Sequence, residues 1–395
     1  MLAFLAVAMS LNCNVPFSSH SGGPLLSDIT NELRSAVSRC PVVVVRPGNH
    51  ITKPFNLTSN QILFLEYGSV LFGSTNFSDY PIIEPLSTYG RSRDTQSKPP
   101  ETLLRYQPLV LAYQQANVTI SGPGVIDGQG SAWWPPVTFH YGRPGLVEFF
   151  KCRNVTVEGV TLRNSPFWTV HLALSDNVIV RGITVENPTT VRNTDGIDPD
   201  SSSNVDISDC TITCGDDGIA IKSGWDYPGV MAGIPSTNIT IRNMVFHSEN
   251  GISIGSEMSG GVSNVYVSNV TIATQGSALY IKTGPTRGGY VQNITYDGVS
   301  ITTSNAAVMI NRSYSEANPS NPLDWKPMPS MVHDVTYRNI AASGTAFAGD
   351  LVGTADALFY NVVMENVAID SVEGWGRCEY VKGSATNVFP MPPCL

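Results

Sequence analysis

Two similar hexapeptides, NVTVEG from Asn154 and NVIVRG from Asn177, begin successive segments of this chain. In each, an asparagine precedes residues that alternate between apolar and polar types over five or six positions, a pattern typical of a half-buried strand. The steps between such hexapeptides run from 23 to 37 residues, within the range that indicates a solenoid. Related hexapeptides begin at Asn117, Asn204, Asn238, Asn264 and Asn293.

A second short strand follows the turn in each unit, as in TVHLAL, GIAIKS, GISIGS and ALYIKT. Because one unit cannot bury its apolar face alone, the repeat predicts an all-β protein wound as a single-stranded parallel β-helix. A propeller is the alternative for short strands, but its blades need about 40 residues and a different signature. Asparagine tolerates left-handed turns and can stack its amide between coils, so the repeated asparagines are assigned no catalytic role.

One segment, DITNELRSAVSRC at residues 28–40, has helical periodicity, with an apolar face at Ile29, Leu33 and Val37. Ser27 is a possible N-cap for this helix. We expect the helix to cap the N-terminal end of the coil, because an open rung would expose unpaired strand edges and apolar core to water.

The first residues, MLAFLAVAMSLNC, have about the length of the apolar region of a signal peptide but lack a basic segment before it. We therefore expect residues 1–23 to be a signal sequence or N-terminal extension, with a buried first strand as the alternative. Residues 24–395 then form one β-helix domain. No later segment reaches the ~18 consecutive apolar residues of a membrane span, so we expect no membrane partner.

The composition, with 42% hydrophobic and 14% charged residues, is that of a globular protein. The net charge is −9 and no block of lysine and arginine occurs, which argues against a nucleic-acid partner. A polyanionic substrate would have to be attracted by local cations. The candidates are Lys222, Lys282 and Arg287.

Seven cysteines include no C-x-x-C pair, which argues against a zinc site. Cys378 and Cys394 flank the last loop and are the expected disulfide. Eight N-x-[ST] acceptors suggest a secreted, extracellular glycoprotein, although several of them also begin repeat units. They are Asn56, Asn76, Asn117, Asn154, Asn238, Asn269, Asn293 and Asn311.

Two acidic segments, VRNTDGIDPDSS and CGDDGIAIKSG, contain Asp195, Asp216 and Asp217. Asp195 and Asp216 are 21 positions apart, close to one turn of the coil, so stacking would bring them together. Hydrolysis of a glycosidic bond needs one carboxylic acid and at least one carboxylate, and mutual repulsion in a cluster raises the pKa of one member. The alternative is an ordinary solvated turn, which becomes less plausible once the two segments stack.

These segments resemble glycoside hydrolase family 28, whose motifs N-T-D, G-D-D, G-H-G and R-I-K follow one another on a right-handed parallel β-helix. The first motif is complete here at Asn193 to Asp195 and the second at Gly215 to Asp217. Flanking segments such as VIDGQGSAWW and IKTGPTRGGYVQNI resemble the plant-type and exo-like branches, and the resemblance extends over nearly the whole chain from about residue 24.

The resemblance implies an inverting hydrolysis in which Asp216 is the general acid. It also implies that Asp195 and Asp217 hold and deprotonate the attacking water, and that Asn193 orients the cluster. Lys282 is similar to the family lysine that pairs with a substrate carboxylate.

Two departures from the family motifs concern substrate binding. Asn250 stands where the family has histidine and cannot share a proton as an imidazole does. Tyr280 stands where the family has arginine and loses a bidentate grip on a carboxylate. His171 is a further candidate for substrate contact, with a structural role as the alternative. Trp168, Trp225 and Tyr227 are either cleft aromatics or packing residues.

The sequence therefore predicts an extracellular polygalacturonase-like glycosidase that cleaves α-1,4-galacturonosyl or related pectic linkages. We expect a pectic polysaccharide partner, no metal or organic cofactor, and a monomer. A catalytically weak pectin-binding wall protein on the same fold is the alternative that Asn250 and Tyr280 make credible. A lyase that cleaves by β-elimination is disfavoured, because the N-T-D and G-D-D pair belongs to the hydrolases.

Overall fold

The structure is a computed structural model. It describes residues 12–16, 26–90, 104–136, 141–326 and 328–395.

The strands stack into three parallel sheets, and successive turns of the chain add one strand to each sheet. The first sheet begins with β1 Asn12–Val15, β3 Val42–Val45, β6 Gln61–Leu65, β11 Ala116–Ser121, β14 Arg153–Glu158, β17 Asp176–Arg181 and β20 Ser203–Ser208. The second begins with β2 Ser27–Asp28, β4 Gly48–Thr52, β7 Ser69–Gly73, β12 Val125–Asp127, β15 Thr161–Arg163 and β18 Thr184–Glu186. The third contains β5 Phe55–Leu57, β10 Val110–Tyr113, β13 Val147–Phe150, β16 Val170–Ala173, β19 Ile197–Asp200 and β24 Ser277–Lys282.

Towards the C-terminus the strands lengthen and bend from one sheet into the next. They are β21 Thr211–Ile221, β22 Ser236–Ile254, β23 Val262–Thr274, β25 Tyr290–Asn311, β26 Met331–Val352, β27 Phe359–Glu379 and β28 Val381–Phe389. A small antiparallel pair, β8 Ile82–Ile83 with β9 Arg105–Tyr106, lies outside the coil. This arrangement confirms the prediction of an all-β parallel β-helix.

Apolar residues of equivalent strands stack in columns inside the coil. Val155 lies opposite Val178, which lies opposite Val205, and all three side chains are buried. Because side chains of a strand point alternately to its two faces, the residues between them point outward. The alternating hexapeptides thus build the core with one face and the surface with the other.

The repeated asparagines occupy sharp bends that only a left-handed backbone allows. Asn154 and Asn177 have φ of 56° and 57°. The Nδ2 of Asn177 donates to Oδ1 of Asn154 over 2.7 Å, and the Nδ2 of Asn154 donates to Oδ1 of Asn117 over 2.9 Å. The side-chain amides therefore form a ladder along the coil, which explains why asparagine recurs at this position.

The predicted helix is present as α1, Thr30–Val37, with Ile29, Leu33 and Val37 buried. The predicted N-cap is wrong. Ser27 lies in β2 and its Oγ contacts Nδ1 of His50 at 3.0 Å, while Oδ1 of Asp28 accepts from the Thr30 backbone N–H over 2.9 Å. The role of α1 as a cap stays a prediction.

A second helix, α2, spans Asp226–Ala232, and short 3₁₀ turns lie at Phe77–Asp79 and Gly130–Ala132. Within the described ranges, no helix is both long and apolar enough to cross a bilayer.

The disulfides extend the folded domain towards the N-terminus. Cys378 is bonded to Cys394, as predicted, and a second disulfide joins Cys13 to Cys40. Cys13 lies in β1, which pairs with β3 and buries Val15 in the core. Residues 12–15 of the segment expected to precede the domain thus pair with the coil, as in the alternative of a buried first strand, while the boundary at residue 24 stays a prediction. Residues 1–11 of the predicted leader lie outside the described residues.

Substitutions of Asn154 separate two contributions to stability, the left-handed backbone bend and the side-chain hydrogen bonds of the ladder. Asn154→Gly keeps the left-handed bend but loses two hydrogen bonds, each of which contributes about 0.5–1.5 kcal/mol. Asn154→Ala also adopts a left-handed backbone that costs about 1–2 kcal/mol for a residue with Cβ. We expect the urea unfolding midpoint to fall in both variants and further in the alanine variant. Equal midpoints for the two variants would contradict this account of the bend.

Candidate active site

An open cleft of about 860 Å³ lies on the outer surface of the third sheet. Its floor is formed by outward-pointing residues of that sheet and by the bends that lead into its strands. Among the lining residues are Trp168, Arg192, Asn193, Asp195, Asp216, Asp217, Lys222, Glu249, Asn250, Glu257, Lys282 and Tyr314.

The three aspartates singled out by the sequence meet in this cleft. Asp195 lies just before β19, while Asp216 and Asp217 lie in β21 where its register with β22 shifts. One carboxylate oxygen from each aspartate lies within 4.8 Å of one from each of the others. Gly215 makes the turn possible, because a Cβ there would come within 2.2 Å of the Val191 carbonyl oxygen.

Asp217 is held by a buried ion pair. The Nζ of Lys282 donates to both carboxylate oxygens over 2.6 and 2.7 Å, and the Ser253 hydroxyl donates to one of them over 2.8 Å. Lys282 therefore points into the cleft, as predicted, but its first partner is a protein carboxylate. Its pairing with a substrate carboxylate stays a prediction.

Asp216 is the most accessible of the three carboxylates, since Asp195 and Asp217 are only 2% and 3% exposed. Its Oδ2 accepts from the backbone N–H of Asn193 over 2.8 Å and from the Asn193 side-chain amide over 3.4 Å. Asn193 has a φ of 60°, a left-handed conformation that asparagine tolerates. Asn193 thus positions Asp216.

Asp195 lies beside a second buried cation. The Nζ of Lys222 is 3.5 Å from Asp195, 3.8 Å from Asp198 and 3.4 Å from Glu257. It also lies 4.6 Å from the ring centre of Trp168. The other Asp195 oxygen, Oδ1, is buried and accepts from no residue that the structure describes.

The cluster holds its protons tightly. Burial and the charge of Asp216 raise the pKa of Asp195 to about 8, and burial and the charge of Asp217 raise the pKa of Asp216. Although burial opposes it, the charges of Glu257 and Asp195 raise the pKa of Lys222 well above its ordinary value. Because the aspartates interact strongly, their protons belong to the cluster rather than to single residues.

His171 does not line this cleft but an adjoining pocket that shares Trp168 with it, so its assignment to substrate binding stays a prediction. It is 3% exposed, and its ring nitrogens lie 3.0 Å from Glu148 and 3.1 Å from Asp200. Arg105 binds the same Glu148 through both carboxylate oxygens, at 2.8 and 2.7 Å. These residues form a buried polar network behind Trp168.

The two departures from the family motifs take different positions. Asn250 lines the cleft opposite Asp217 in the strand register, and its Oδ1 accepts from the Ser277 backbone N–H over 2.9 Å. Tyr280 points outward from β24, and its hydroxyl donates to Oδ1 of Asn311 over 3.3 Å. Neither side chain makes an ion pair with a described residue.

One further expectation is wrong, and the open assignments of the aromatic residues are decided. Arg287 is fully buried and its guanidinium is 2.7 Å from Asp226, so it is not a cation for substrate. Trp225 is fully buried, which makes it a packing residue, whereas Trp168 lines the cleft. Tyr227 is not among the residues that line the cleft.

Sequence reasoning missed Arg192, Glu257 and Tyr314 as cleft residues. Arg192 directly precedes the N-T-D motif, and this position beside the motif could have identified it as a cleft residue. Glu257 and Tyr314 lie in bends after β22 and β25, where the repeat carries no periodic signal. Their place in the cleft depends on how these bends fold back.

Comparisons with known proteins agree with this geometry. The family model "Glycosyl hydrolases family 28" matches residues 95–388, which include every residue lining the cleft. The chain is 36% identical over 360 residues to a probable polygalacturonase of Vitis vinifera, across 88% of this chain and 71% of that protein. It is 29% identical to an endo-polygalacturonase of Pectobacterium carotovorum, across 88% and 86%. The structure of an exopolygalacturonase from Thermotoga maritima superposes with a TM-score of 0.76 at 27% identity, across 95% and 92%.

The raised pKa of Asp195 predicts a pH-dependent effect on stability. The folded state keeps a proton that the unfolded chain loses above about pH 4, so this group's contribution to the free energy of unfolding falls as pH rises towards 8. Asp195→Asn should therefore gain in thermal midpoint relative to the parent between pH 4 and pH 8.

Asp176→Asn is the control of opposite sign. Hydrogen bonds from Ser203 and Asn204 lower the pKa of Asp176, so its contribution is present at neutral pH and lost in acid. This variant should have a lower thermal midpoint than the parent at pH 7, and the difference between the two midpoints should shrink as pH falls. A gap between Asp195→Asn and the parent that does not change with pH would contradict the prediction.

Proposed function

The chain belongs to glycosyl hydrolase family 28 and is a glycoside hydrolase, and from that premise we propose that it cleaves galacturonosyl linkages of pectin outside the cell. The observation that carries the proposal is the meeting of Asp195, Asp216 and Asp217 in one open cleft, where burial and neighbouring charges raise the pKa values of Asp195 and Asp216. Relatives named as polygalacturonases support a pectic polysaccharide as the substrate.

Asp216 is the proposed general acid. Its pKa is raised, as an acid requires, and it is more accessible to a leaving oxygen than the buried Asp195, whose pKa is also raised. It also forms no ion pair with a described lysine or arginine, whereas Asp217 is bonded to Lys282. An acid that lacked such a cation would retain its proton more readily.

Asp217 and Asp195 are the proposed bases. Lys282 donates to both carboxylate oxygens of Asp217 and so fixes the orientation of this group in the cleft. Asp195 offers Oδ1, which accepts from no described residue, as an acceptor for the attacking water.

We propose inversion at the anomeric carbon, on the strength of the resemblance. The distances do not supply this support, because the carboxylate oxygens lie within 4.8 Å of one another and an inverting pair is usually about 6.5–9.5 Å apart. Proton NMR of the first product formed from polygalacturonate tests the proposal. An initial β-anomer from the α-linked substrate supports inversion, and an initial α-anomer would show retention.

Arg192 adds an uncompensated positive charge to the cleft. The charges of Lys222 and Lys282 are partly compensated, because both ammonium groups are paired with buried carboxylates. Arg192 is exposed at the cleft and forms no ion pair with any residue the structure describes. We propose that Arg192 binds a galacturonate carboxylate, a contact for which a guanidinium is well suited.

We also propose that the enzyme is secreted to the cell wall and acts as a monomer. Two disulfides support an oxidising compartment.

A weak pectin-binding wall protein is the second candidate, favoured by Asn250 and Tyr280 in place of histidine and arginine. Incubation with polygalacturonate, rhamnogalacturonan and xylogalacturonan separates the candidates. New reducing ends, profiled by chromatography, would support the hydrolase and identify its substrate. Binding without product would support the second candidate.

Asp216→Asn tests the acid. We expect kcat to fall by about 10²–10⁴-fold on polygalacturonate, the usual contribution of acid–base catalysis, with the fold retained. A galacturonide with a good leaving group needs little protonation, so the variant should recover much of its rate there. Asp195→Asn and Asp217→Asn impair attack by water and should not recover. Rescue of Asp217→Asn alone would reassign the acid.

Arg192→Gln tests recognition of charge. We expect KM on polygalacturonate to rise by about 10-fold, with kcat nearly unchanged, because a charge-assisted hydrogen bond contributes about 1.5–3 kcal/mol. The effect should shrink on methyl-esterified pectin and at high salt. Lys382→Gln removes the same charge from β28, outside the cleft, and should leave KM unchanged. Equal effects of the two variants would remove Arg192 from the site.

A further inference from the structure

The eight N-x-[ST] acceptors have very different structural settings, although seven of their asparagines are exposed. Five of the seven belong to the side-chain ladders that run along the coil. An N-linked glycan is attached to Nδ2, the atom that each ladder asparagine uses as a donor. Exposure alone therefore does not identify the positions that can be modified.

In the ladders, Nδ2 faces the neighbouring rung. Adjacent strands lie about 4.7–4.9 Å apart, so a sugar ring on that nitrogen would displace the next asparagine. The donor contacts are Asn117 to Asn60 at 2.7 Å, Asn154 to Asn117 at 2.9 Å, Asn238 to Asn204 at 3.2 Å, Asn269 to Asn243 at 2.8 Å and Asn293 to Asn264 at 2.7 Å.

Asn311 is excluded for another reason. It is only 4% exposed, at the end of β25, and its Oδ1 accepts from the Ser313 hydroxyl over 2.8 Å. It also lies opposite Lys282 in the strand register. A glycan on Asn311 would have to displace residues that border the cleft.

Asn76 is exposed and precedes the 3₁₀ turn Phe77–Asp79. Its Oδ1 accepts from the Ser78 backbone N–H over 3.3 Å and from the Ser78 hydroxyl over 2.9 Å. Oδ1 of Asn76 thus accepts from the serine of its own N-x-[ST] motif. Its Nδ2 donates to no residue that the structure describes. Nδ2 is free to carry a substituent.

Asn56 shares these properties at a second place. It is exposed on the outward side of β5, and its Oδ1 accepts from Nε2 of Gln107 over 3.0 Å. Among the described residues none accepts from its Nδ2. A substituent there would project from the coil surface without entering the ladder.

We propose that Asn56 and Asn76 are the N-glycosylation sites of this protein and that Asn311 and the five ladder asparagines are unmodified in the folded enzyme. The donor is an oligosaccharide on a lipid pyrophosphate. A bond forms between Nδ2 and the anomeric carbon of the first N-acetylglucosamine, the bond from that carbon to the pyrophosphate oxygen breaks, and Nδ2 loses one proton. The proposal rests on the proposed secretion and is independent of the catalytic assignment.

The test is to secrete the full chain from a glycosylating eukaryotic host and to map site occupancy in the folded, monodisperse fraction. Enzymatic deglycosylation in ¹⁸O-water followed by peptide mass spectrometry marks each modified asparagine. We expect label at Asn56 and Asn76 and none at the other six. Substantial occupancy of any ladder asparagine, or no occupancy at both Asn56 and Asn76, would overturn the proposal.

Matched variants separate the glycan from the ladder. Asn76→Gln and Ser78→Ala should each remove one glycan mass, because both destroy the same acceptor. Thr156→Ala destroys the acceptor at Asn154 but keeps the ladder amide, so the glycan mass should stay unchanged. A loss of mass in Thr156→Ala would contradict the proposal. Reducing-end release is measured on the same samples. Because glycan occupancy is determined without reference to activity, an inactive enzyme would contradict the catalytic proposal and leave the glycosylation result unaffected.

Discussion

The parallel register between successive turns of the coil fixes the position of every group in the cleft. Asp217 lies opposite Asn250, and Ser253 lies opposite Tyr280, because each strand hydrogen-bonds to the next in one alignment. A slip of one residue would exchange the inward and outward faces. The buried valine and isoleucine columns make such a slip costly. The apolar core therefore holds the polar cleft in place.

The cleft concentrates charge on a surface that the fold partly buries. Lys222 and Lys282 compensate the aspartates, yet buried ion pairs stabilise a protein weakly, since desolvation offsets most of their attraction. Asp198 is fully buried, and both of its carboxylate oxygens lack a hydrogen-bond partner among the described residues, with the Lys222 ammonium 3.8 Å away. Such an arrangement is expected of a site selected for chemistry rather than for stability.

The side-chain ladder and the cleft differ in how the outward residues of successive turns are related. On the first sheet, identical amides stack and satisfy one another, so the surface is closed to modification at Asn154 and its equivalents. On the third sheet, the outward residues differ from rung to rung, and Asp198 follows His171 in register. The repeated residues form the rigid coil, and the positions where the repeat is interrupted carry the candidate catalytic residues. Residues in the bends, such as Gly215 and Asn193, connect the two.

The sequence by itself determined the fold class, the Cys378–Cys394 disulfide and the proximity of the aspartates, because a periodic coil converts residue separation into distance. The tertiary structure alone decided which partner each charge meets. Lys282 was expected beside substrate and lies against Asp217, while Arg287 was expected in the cleft and is buried on Asp226. His171 was likewise drawn into a network with Glu148. These outcomes depend on bends of unequal length, whose course is set by packing against distant residues and leaves no periodic signal in the sequence.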